Sequence, residues 1–532
     1  MQGDSAATRL PLSGLRIAVT AADLEQLEHR GIAAYSRNLL KALHRAGADL
    51  WLITEFDPRV KVPGLRRLPA ATQDLLRTAK ILDDLCAGHS APEMSDYRLE
   101  QQWPPGLRRI QHIQQRWNGI MQRLAPYLPS LWLRRSYHEG AMPVIFVHEH
   151  RDNPYLRHQR LDYLDEVTGI LCARRFFGNA NALAARGTGG GIKLDLYSFD
   201  LLITTCPINL DSDGKTPILQ TIHDLIPVEF ARHGESPVAF TKRLQASLQQ
   251  GRLFMSEASR RKYHQYISEH PLNSSATNHE RVAIQPPTLQ LTPAQLKQSM
   301  QTARPEPWSW QPPGQAKKQQ KQNARTEQAR GLSSLRFLLF NSSVEPRKNV
   351  IFLVKAFRES RLAERGYHLC ITGTLKQDSY SREVRRLVQN DDSILLTGYI
   401  DEPSKVELYS RALALLSPSL VEGFGIPLLD AACIGLPAIA SDSASHSEIR
   451  DLHDFRQHIT LLRTVKTTSW ASLISSLADQ YEQLDENAIE ALVQERLNRY
   501  LKYQSTVELE FANSIQQSVR SLVNPLRTSS NS

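Results

Sequence analysis

Short apolar runs alternate along this chain with stretches whose apolar residues recur at three- and four-residue steps. Leu15-Arg16-Ile17-Ala18-Val19 predicts a buried strand, Gly31 to Leu43 has helical apolar spacing, and Ala48 to Ile53 predicts a second strand. Strand, helix, strand of this length is a βαβ unit, which builds a parallel sheet with its ligand sites at the carboxyl ends of the strands. The rhythm is lost between about residues 57 and 140 and resumes with strand-like runs at 200–205 and 218–224. A second series starts at Leu335: Phe337 to Phe340 as a strand, Asn349 to Phe357 as a helix, His368 to Ile371 as a strand, Tyr380 to Gln389 as a helix, and Ile394 to Leu396 as a strand. No short exact repeat relates the two series, so the duplication is one of architecture.

At 532 residues the chain is too long for one hydrophobic core. The pattern divides it into a first α/β domain over 1–287 with a basic helical insertion at about 57–140, a flexible Gln/Lys/Pro-rich insertion over 288–334, a second α/β domain over 335–505, and a helix and tail over 506–532. The run Lys317-Lys318-Gln319-Gln320-Lys321-Gln322 marks the insertion, because such a composition cannot bury a core. The composition, 41% hydrophobic and 22% charged, is that of a soluble globular protein. Nothing in the sequence approaches a membrane-spanning run, and residues 1–14 show no secretory or transit signal, so a cytoplasmic location is expected. Five separated cysteines fit neither a disulfide framework nor a thiolate metal site.

The net charge of +9 suits an anionic partner without choosing one. Its distribution is more telling, since residues 104–135 hold six arginines, Trp117 and Trp132 and no acidic residue. Leu107, Ile110, Ile113, Trp117, Ile120, Met121 and Leu124 fall on one helical face, so this helix either lies on an anionic membrane surface or packs on its own domain.

The densest candidate chemistry runs from Ser417 to Asp430. An apolar strand ends at Pro418, Glu422-Gly423-Phe424-Gly425 forms a Gly-x-Gly loop, and Pro427 stands where a helix can begin. Glycines let the backbone approach a ligand closely, and a helix amino terminus favours an anion. Two carboxylates, Glu422 in the loop and Asp430 placed in the first helical turn, are suited to charge-assisted hydrogen bonds with sugar hydroxyls.

The block from Glu422 to Asp430, followed by Gly435-Leu436-Pro437 and Glu448, resembles the E-x7-E segment of the retaining family-4 glycosyltransferases of the GT-B fold, and the similarity covers most of residues 335–450. The fold this implies is α/β, two Rossmann-like domains facing each other across an interdomain cleft. The resemblance implies that Glu422, Gly423, Phe424 and Gly425 hold the donor sugar and that Asp430, where relatives carry glutamate, meets the nucleotide ribose. Glu345-Pro346-Arg347-Lys348-Asn349 resembles the family's E-P-R-K-N segment, which implies that Arg347 and Lys348 neutralise the diphosphate leaving group. Many relatives carry a further basic residue six positions before the lysine, where this chain has Ser342.

In the first series, His223-Asp224-Leu225-Ile226-Pro227 resembles the H-D-x-x-P segment, which implies that His223 contacts the donor sugar while Asp224 orients its loop. The segment Gly31 to Tyr35 is similar to the family's first glycine-rich loop, so Gly31 and Tyr35 are expected to face the acceptor and the leaving phosphate. Ser256-Glu257-Ala258-Ser259 matches another recurrent, structural segment.

The resemblance thus implies an enzyme that moves a hexose of mannose or glucose type from a nucleotide-diphosphate sugar to a glycan or lipid-linked acceptor, by front-face displacement, in polysaccharide or lipopolysaccharide assembly. No cofactor and no metal are implied, because Arg347 and Lys348 take the role a cation would fill, and no nucleic-acid partner is expected. Contact with the cytoplasmic membrane face would come through 104–135. A sugar-nucleotide epimerase, a phosphorylase or a non-catalytic nucleotide-sugar-binding protein would use the same frame.

Overall fold

The computed structural model describes residues 10–26, 31–59, 65, 67–86, 133–157, 161–187, 189–211, 215–230, 235–270, 279–291, 309–310, 331–376 and 378–529. The chain forms two compact units, one of Met1–Pro286 with Glu508–Ser532 and the other of Pro287–Val507.

The first unit is built on an eight-stranded sheet whose strands, in chain order, are β1 (Arg16–Thr20), β2 (Asp49–Thr54), β3 (Val144–Phe146), β4 (Gly169–Cys172), β5 (Leu201–Thr204), β6 (Ile218–Ile222), β7 (Gly251–Phe254) and β8 (Glu280–Val282). Their spatial order is β8-β7-β6-β5-β1-β2-β4-β3, parallel except where the edge strand β3 runs against β4. The chain therefore leaves β1 in one direction and later returns to its other side at β5, which makes β1/β5 the switch point where ligands of open α/β sheets bind. Helix α1 (Gly31–Arg45) covers one face with Tyr35, Leu39, Leu40 and Leu43 buried in its core.

The second unit has a six-stranded, wholly parallel sheet of β9 (Phe337–Asn341), β10 (His368–Thr372), β11 (Ile394–Gly398), β12 (Ala414–Ser417), β13 (Ala438–Ser441) and β14 (Ile459–Leu462). The order β11-β10-β9-β12-β13-β14 puts its switch point between β9 and β12. Strands such as Phe337–Asn341 and Ala414–Ser417 read as near-continuous apolar runs because both faces are covered, as parallel sheets require. Helix α2 (Val350–Glu359) packs Val350, Leu353, Val354, Ala356 and Phe357 into this core.

Each unit is a Rossmann-like α/β layer structure, and the strand positions expected in the second series agree with it to within a residue or two. Three expectations need revision. Strands β3, β4, β7, β8, β13 and β14 were not anticipated, since runs of three or four residues give a weak periodic signal. The stretch 288–334 is not structureless throughout, because Ser309–Trp310 pairs antiparallel with Leu332–Ser333, burying Trp310 and Leu332. Asp430 lies in the second turn of its helix, α3 (Ile426–Ile434), and not in the first. The basic segment 104–135 falls outside the described residues up to position 132. Among the described residues no helix is long and apolar enough to cross a membrane.

A long helix, α4 (Glu486–Ser529), closes the chain. Its Phe511, Ile515, Val519 and Val523 are buried in the core of the first unit beside Tyr35. Truncating an aromatic core side chain costs about 3–5 kcal/mol. Phe511→Ala is therefore expected to lower the unfolding free energy of the first unit by that order in urea titration, and Glu510→Ala, on the exposed side, to leave it unchanged, as followed by circular dichroism.

Candidate functional site

In the second unit the switch-point strands β9 and β12 end in the two segments singled out from the sequence. After β9 the chain turns through Pro346–Lys348 and enters α2 by way of Asn349, whose φ of 55° is left-handed. After β12 it runs through Ser419 and Glu422 to Gly425 and α3. The Leu420 amide donates to the Arg347 carbonyl at 2.7 Å, so the two turns are joined by backbone.

Glu422 is buried between cations. Lys348 Nζ donates to Glu422 Oε1, Arg347 Nη1 approaches Oε2 at 3.4 Å, and Ser419 Oγ donates to Oε1 at 2.7 Å. Burial alone would raise the Glu422 carboxyl, but Lys348 and then Arg347 hold it down at about 2. Burial lowers the Lys348 ammonium, and Glu422 opposes that shift. Arg347 is also held from its other side, with Nε donating to Glu345 Oε2 at 3.0 Å. Burial raises the Glu345 carboxyl, yet its hydrogen bond from Lys376 and the charge of Arg347 hold it too at about 2.

The loop that follows is shaped by small residues. Gly425 has a φ of 109°, and a Cβ there would lie 3.1 Å from the His446 ring, so glycine is required on both counts. Ser445 Oγ lies 2.9 Å from the Gly423 carbonyl and 3.2 Å from that of Glu422, bracing the turn with one hydroxyl. His446 is fully buried, its Nδ1 2.9 Å from the Ser441 carbonyl and its pKa lowered by burial, so it stands neutral behind the loop. Phe424 is buried.

Asp430 is tied to Thr288 within its own unit. Its Oδ1 accepts the Thr288 amide at 2.5 Å, its Oδ2 accepts Thr288 Oγ1 at 2.7 Å, and Lys405 Nζ stands 3.6 Å from Oδ2. With 1% of its surface exposed and both oxygens hydrogen-bonded, this carboxylate anchors the start of the second unit.

The first unit gathers its polar residues at the ends of β1, β5 and β6. His223 Nε2 donates to the Thr205 carbonyl at 2.7 Å, and Thr205 Oγ1 donates to Asp23 Oδ1 at 2.6 Å. Burial lowers the His223 pKa, so the ring is neutral at pH 7 with its proton committed to Nε2. Ser259 Oγ holds the His223 carbonyl at 2.8 Å, and Ser256 caps the helix Glu257–Glu269, which gives that segment its structural role. Asp224 Oδ1 accepts the Ile226 amide at 3.0 Å and so orients the loop.

Tyr35 corrects the expectation of an acceptor-facing side chain. It is fully buried within α1, its hydroxyl 3.0 Å from Thr221 Oγ1 and its ring edge-on to His223 at 4.9 Å. It therefore backs the histidine from the core. Gly31 is the first residue of α1, with its carbonyl 3.3 Å from Gln285 Nε2.

With this geometry in place, comparison with known proteins is informative. Residues 323–490 match the family described as Glycosyl transferases group 1. This segment is similar to group 1 glycosyl transferases over about a third of the chain. It contains Glu345, Arg347, Lys348, Glu422 and Asp430, the whole of the second unit's charged site. The serotype-specific mannosyltransferase WbdA of Escherichia coli is 36% identical over 115 residues, 21% of this chain and 14% of that protein. O-antigen chain mannosyltransferase B of Escherichia coli is 26% identical over 155 residues, 26% of this chain and 39% of the relative. The chain thus spans well under half of the curated relatives it matches. Among solved structures, a sucrose-phosphate synthase from Thermosynechococcus elongatus aligns over 94% of this chain and 98% of its own at 16% identity, with a TM-score of 0.46.

Two outcomes follow for the second unit. Asp430→Ala removes two hydrogen bonds to a buried carboxylate and is expected to cost about 2–3 kcal/mol, against about 1 kcal/mol for Thr288→Val, in urea unfolding. The carboxyls of Glu422 and Glu345 sit at about 2 when folded against an ordinary 4.5. Their contribution to stability is therefore full above about pH 4.5 and is lost as the pH falls towards 2. Thermal melts across that window should show the second unit weakening on acidification, with a shallower slope in Glu422→Gln.

Proposed function

We propose that this chain is a retaining glycosyltransferase that moves a hexose, of mannose type, from a nucleotide-diphosphate sugar to a glycan or lipid-linked acceptor in surface-polysaccharide assembly. The observation that carries the reading is the Glu422 carboxylate set between Lys348 and Arg347 at the β9/β12 switch point, inside the segment that matches group 1 glycosyl transferases. The mannose and polysaccharide parts draw on the matched relatives, two mannosyltransferases, one of them of an O-antigen chain.

In this reading the bond from the sugar's anomeric carbon to the diphosphate oxygen breaks as the bond to the acceptor oxygen forms on the same face, and the acceptor's proton passes to the departing phosphate. Negative charge grows on the leaving group, and Arg347 and Lys348 are the fixed cations that stabilise it, so the proposed reaction uses no metal. Cations already in place need no reorganisation as charge develops, which is why such groups contribute several kcal/mol to a barrier. Glu422, kept ionised by the same cations, accepts hydrogen bonds from the sugar's hydroxyls. Neutral His223, with its proton held by Thr205, keeps Nδ1 as an acceptor at the end of β6. Contact of residues 104–135 with an anionic membrane belongs to the same proposal and would place the enzyme beside a lipid-linked acceptor.

The burial of Glu422 alters how the reading is tested. Glu422→Ala would leave Lys348 buried without a counter-charge, which costs about 3–5 kcal/mol, so lost activity would be confounded with lost folding. Glu422→Gln keeps the size and one acceptor oxygen but still removes the counter-charge of Lys348, so its fold is checked by circular dichroism before turnover is read. It is expected to lower kcat about 10²–10³-fold in a transfer assay with GDP-mannose, the loss seen when one preorganised polar group is removed. Near-parental turnover in a folded Glu422→Gln protein would contradict the proposal.

A further inference from the structure

The charges at the β9 end extend beyond the expected residues. Lys376 follows β10, and its Nζ lies 2.6 Å from Glu345 Oε1. Glu345 in turn holds Arg347, Arg347 reaches Glu422, and Glu422 holds Lys348. The result is a row of alternating charge: Lys376, Glu345, Arg347, Glu422, Lys348.

Backbone pairing puts Lys376 there. Beyond the sheet proper, the Ser342 amide donates to the Thr372 carbonyl at 3.2 Å and the Val344 amide to the Thr374 carbonyl at 3.1 Å, and Val344 bridges to Leu375 in parallel. Residues 342–345 and 372–376 therefore run side by side past the strand ends. Gly373, with a φ of 122°, permits this, since a Cβ there would overlap the Ser342 carbonyl.

Charge counting gives Lys376 its meaning. Glu345 and Glu422 cancel Arg347 and Lys348, so those four groups present no net charge to a diphosphate. Adding Lys376 makes the cluster positive by one. Lys376 is also the cation free to respond, with 48% of its side chain exposed against 17% for Arg347 and 6% for Lys348. A long, flexible ammonium on the rim, paired with a carboxylate that already has a second cation, can exchange that partner for a phosphate oxygen while the buried pair stays intact.

We propose that Lys376 is the third cation of the donor site, leaving Glu345 for a phosphate oxygen when a nucleotide diphosphate binds. The assignment rests on the donor-site reading above. It differs in sign from the alternative that Lys376 merely braces Glu345. If Lys376 engages phosphate, removing it weakens binding, whereas neutralising its competitor Glu345 strengthens binding. If it is a brace, both changes weaken binding together.

The test is calorimetric titration of the intact chain with GDP, UDP and ADP and with the matching uncharged nucleosides. For the diphosphate that binds the parent, Lys376→Gln is expected to weaken affinity about tenfold, which is about 1.4 kcal/mol. Nucleoside binding should be unchanged, Lys376→Arg should restore affinity, and Glu345→Gln should tighten it. Parental affinity in Lys376→Gln, or weakening by Glu345→Gln alongside it, overturns the assignment and leaves the donor site standing. A parent that binds none of the three diphosphates overturns the donor-site reading itself.

Discussion

The second unit is organised around one buried ion pair, Lys348 with Glu422. Two charges taken out of water are costly unless each is matched and hydrogen-bonded, and the surrounding structure meets that demand. Ser419 supplies a hydroxyl, Arg347 a second cation, and the Leu420 amide ties the two turns together through the Arg347 carbonyl. The pair requires the ends of β9 and β12 to be adjacent, which is what the strand order provides. The same requirement explains the small residues downstream. Gly425 turns where a side chain would meet His446, and Ser445 braces the carbonyls of Glu422 and Gly423.

The arrangement stores binding capability in a nearly neutral form. A site of bare cations would repel itself and attract any anion, whereas cations interleaved with Glu345 and Glu422 stay poised without collapse. In the proposed function, a nucleotide diphosphate competes for cations already in place. The first unit shows the same economy with uncharged groups: Thr205 links Asp23 to His223, and Tyr35 supports the ring from the core, so the tautomer is fixed by structure.

Much of this was legible along the chain. The strand ends carrying Arg347, Lys348, Glu422 and His223 follow from alternating apolar runs and helical spacing, and Gly425 and Pro427 announce a loop entering a helix. Other parts were not legible, for physical reasons. Lys376 joins Glu345 only through the register of two parallel strands, which no local pattern encodes. His446 and Ser445 come from the turn after a different strand. Thr288 is 142 positions from Asp430, so nothing in a glycine-rich block could reveal that its carboxylate also anchors that residue. The glycine-rich-loop resemblance names Tyr35 without saying whether its side chain meets core or ligand, and in the fold it lies in the core.

The central claim is that the ends of β9 and β12 together hold a nucleotide-diphosphate sugar. Amide hydrogen exchange of the intact chain with and without saturating GDP-mannose measures this most directly. The account predicts added protection in two segments, 342–349 and 419–426, with little change at the opposite ends of the same strands. Protection confined to other segments, with both of these unchanged, would contradict it.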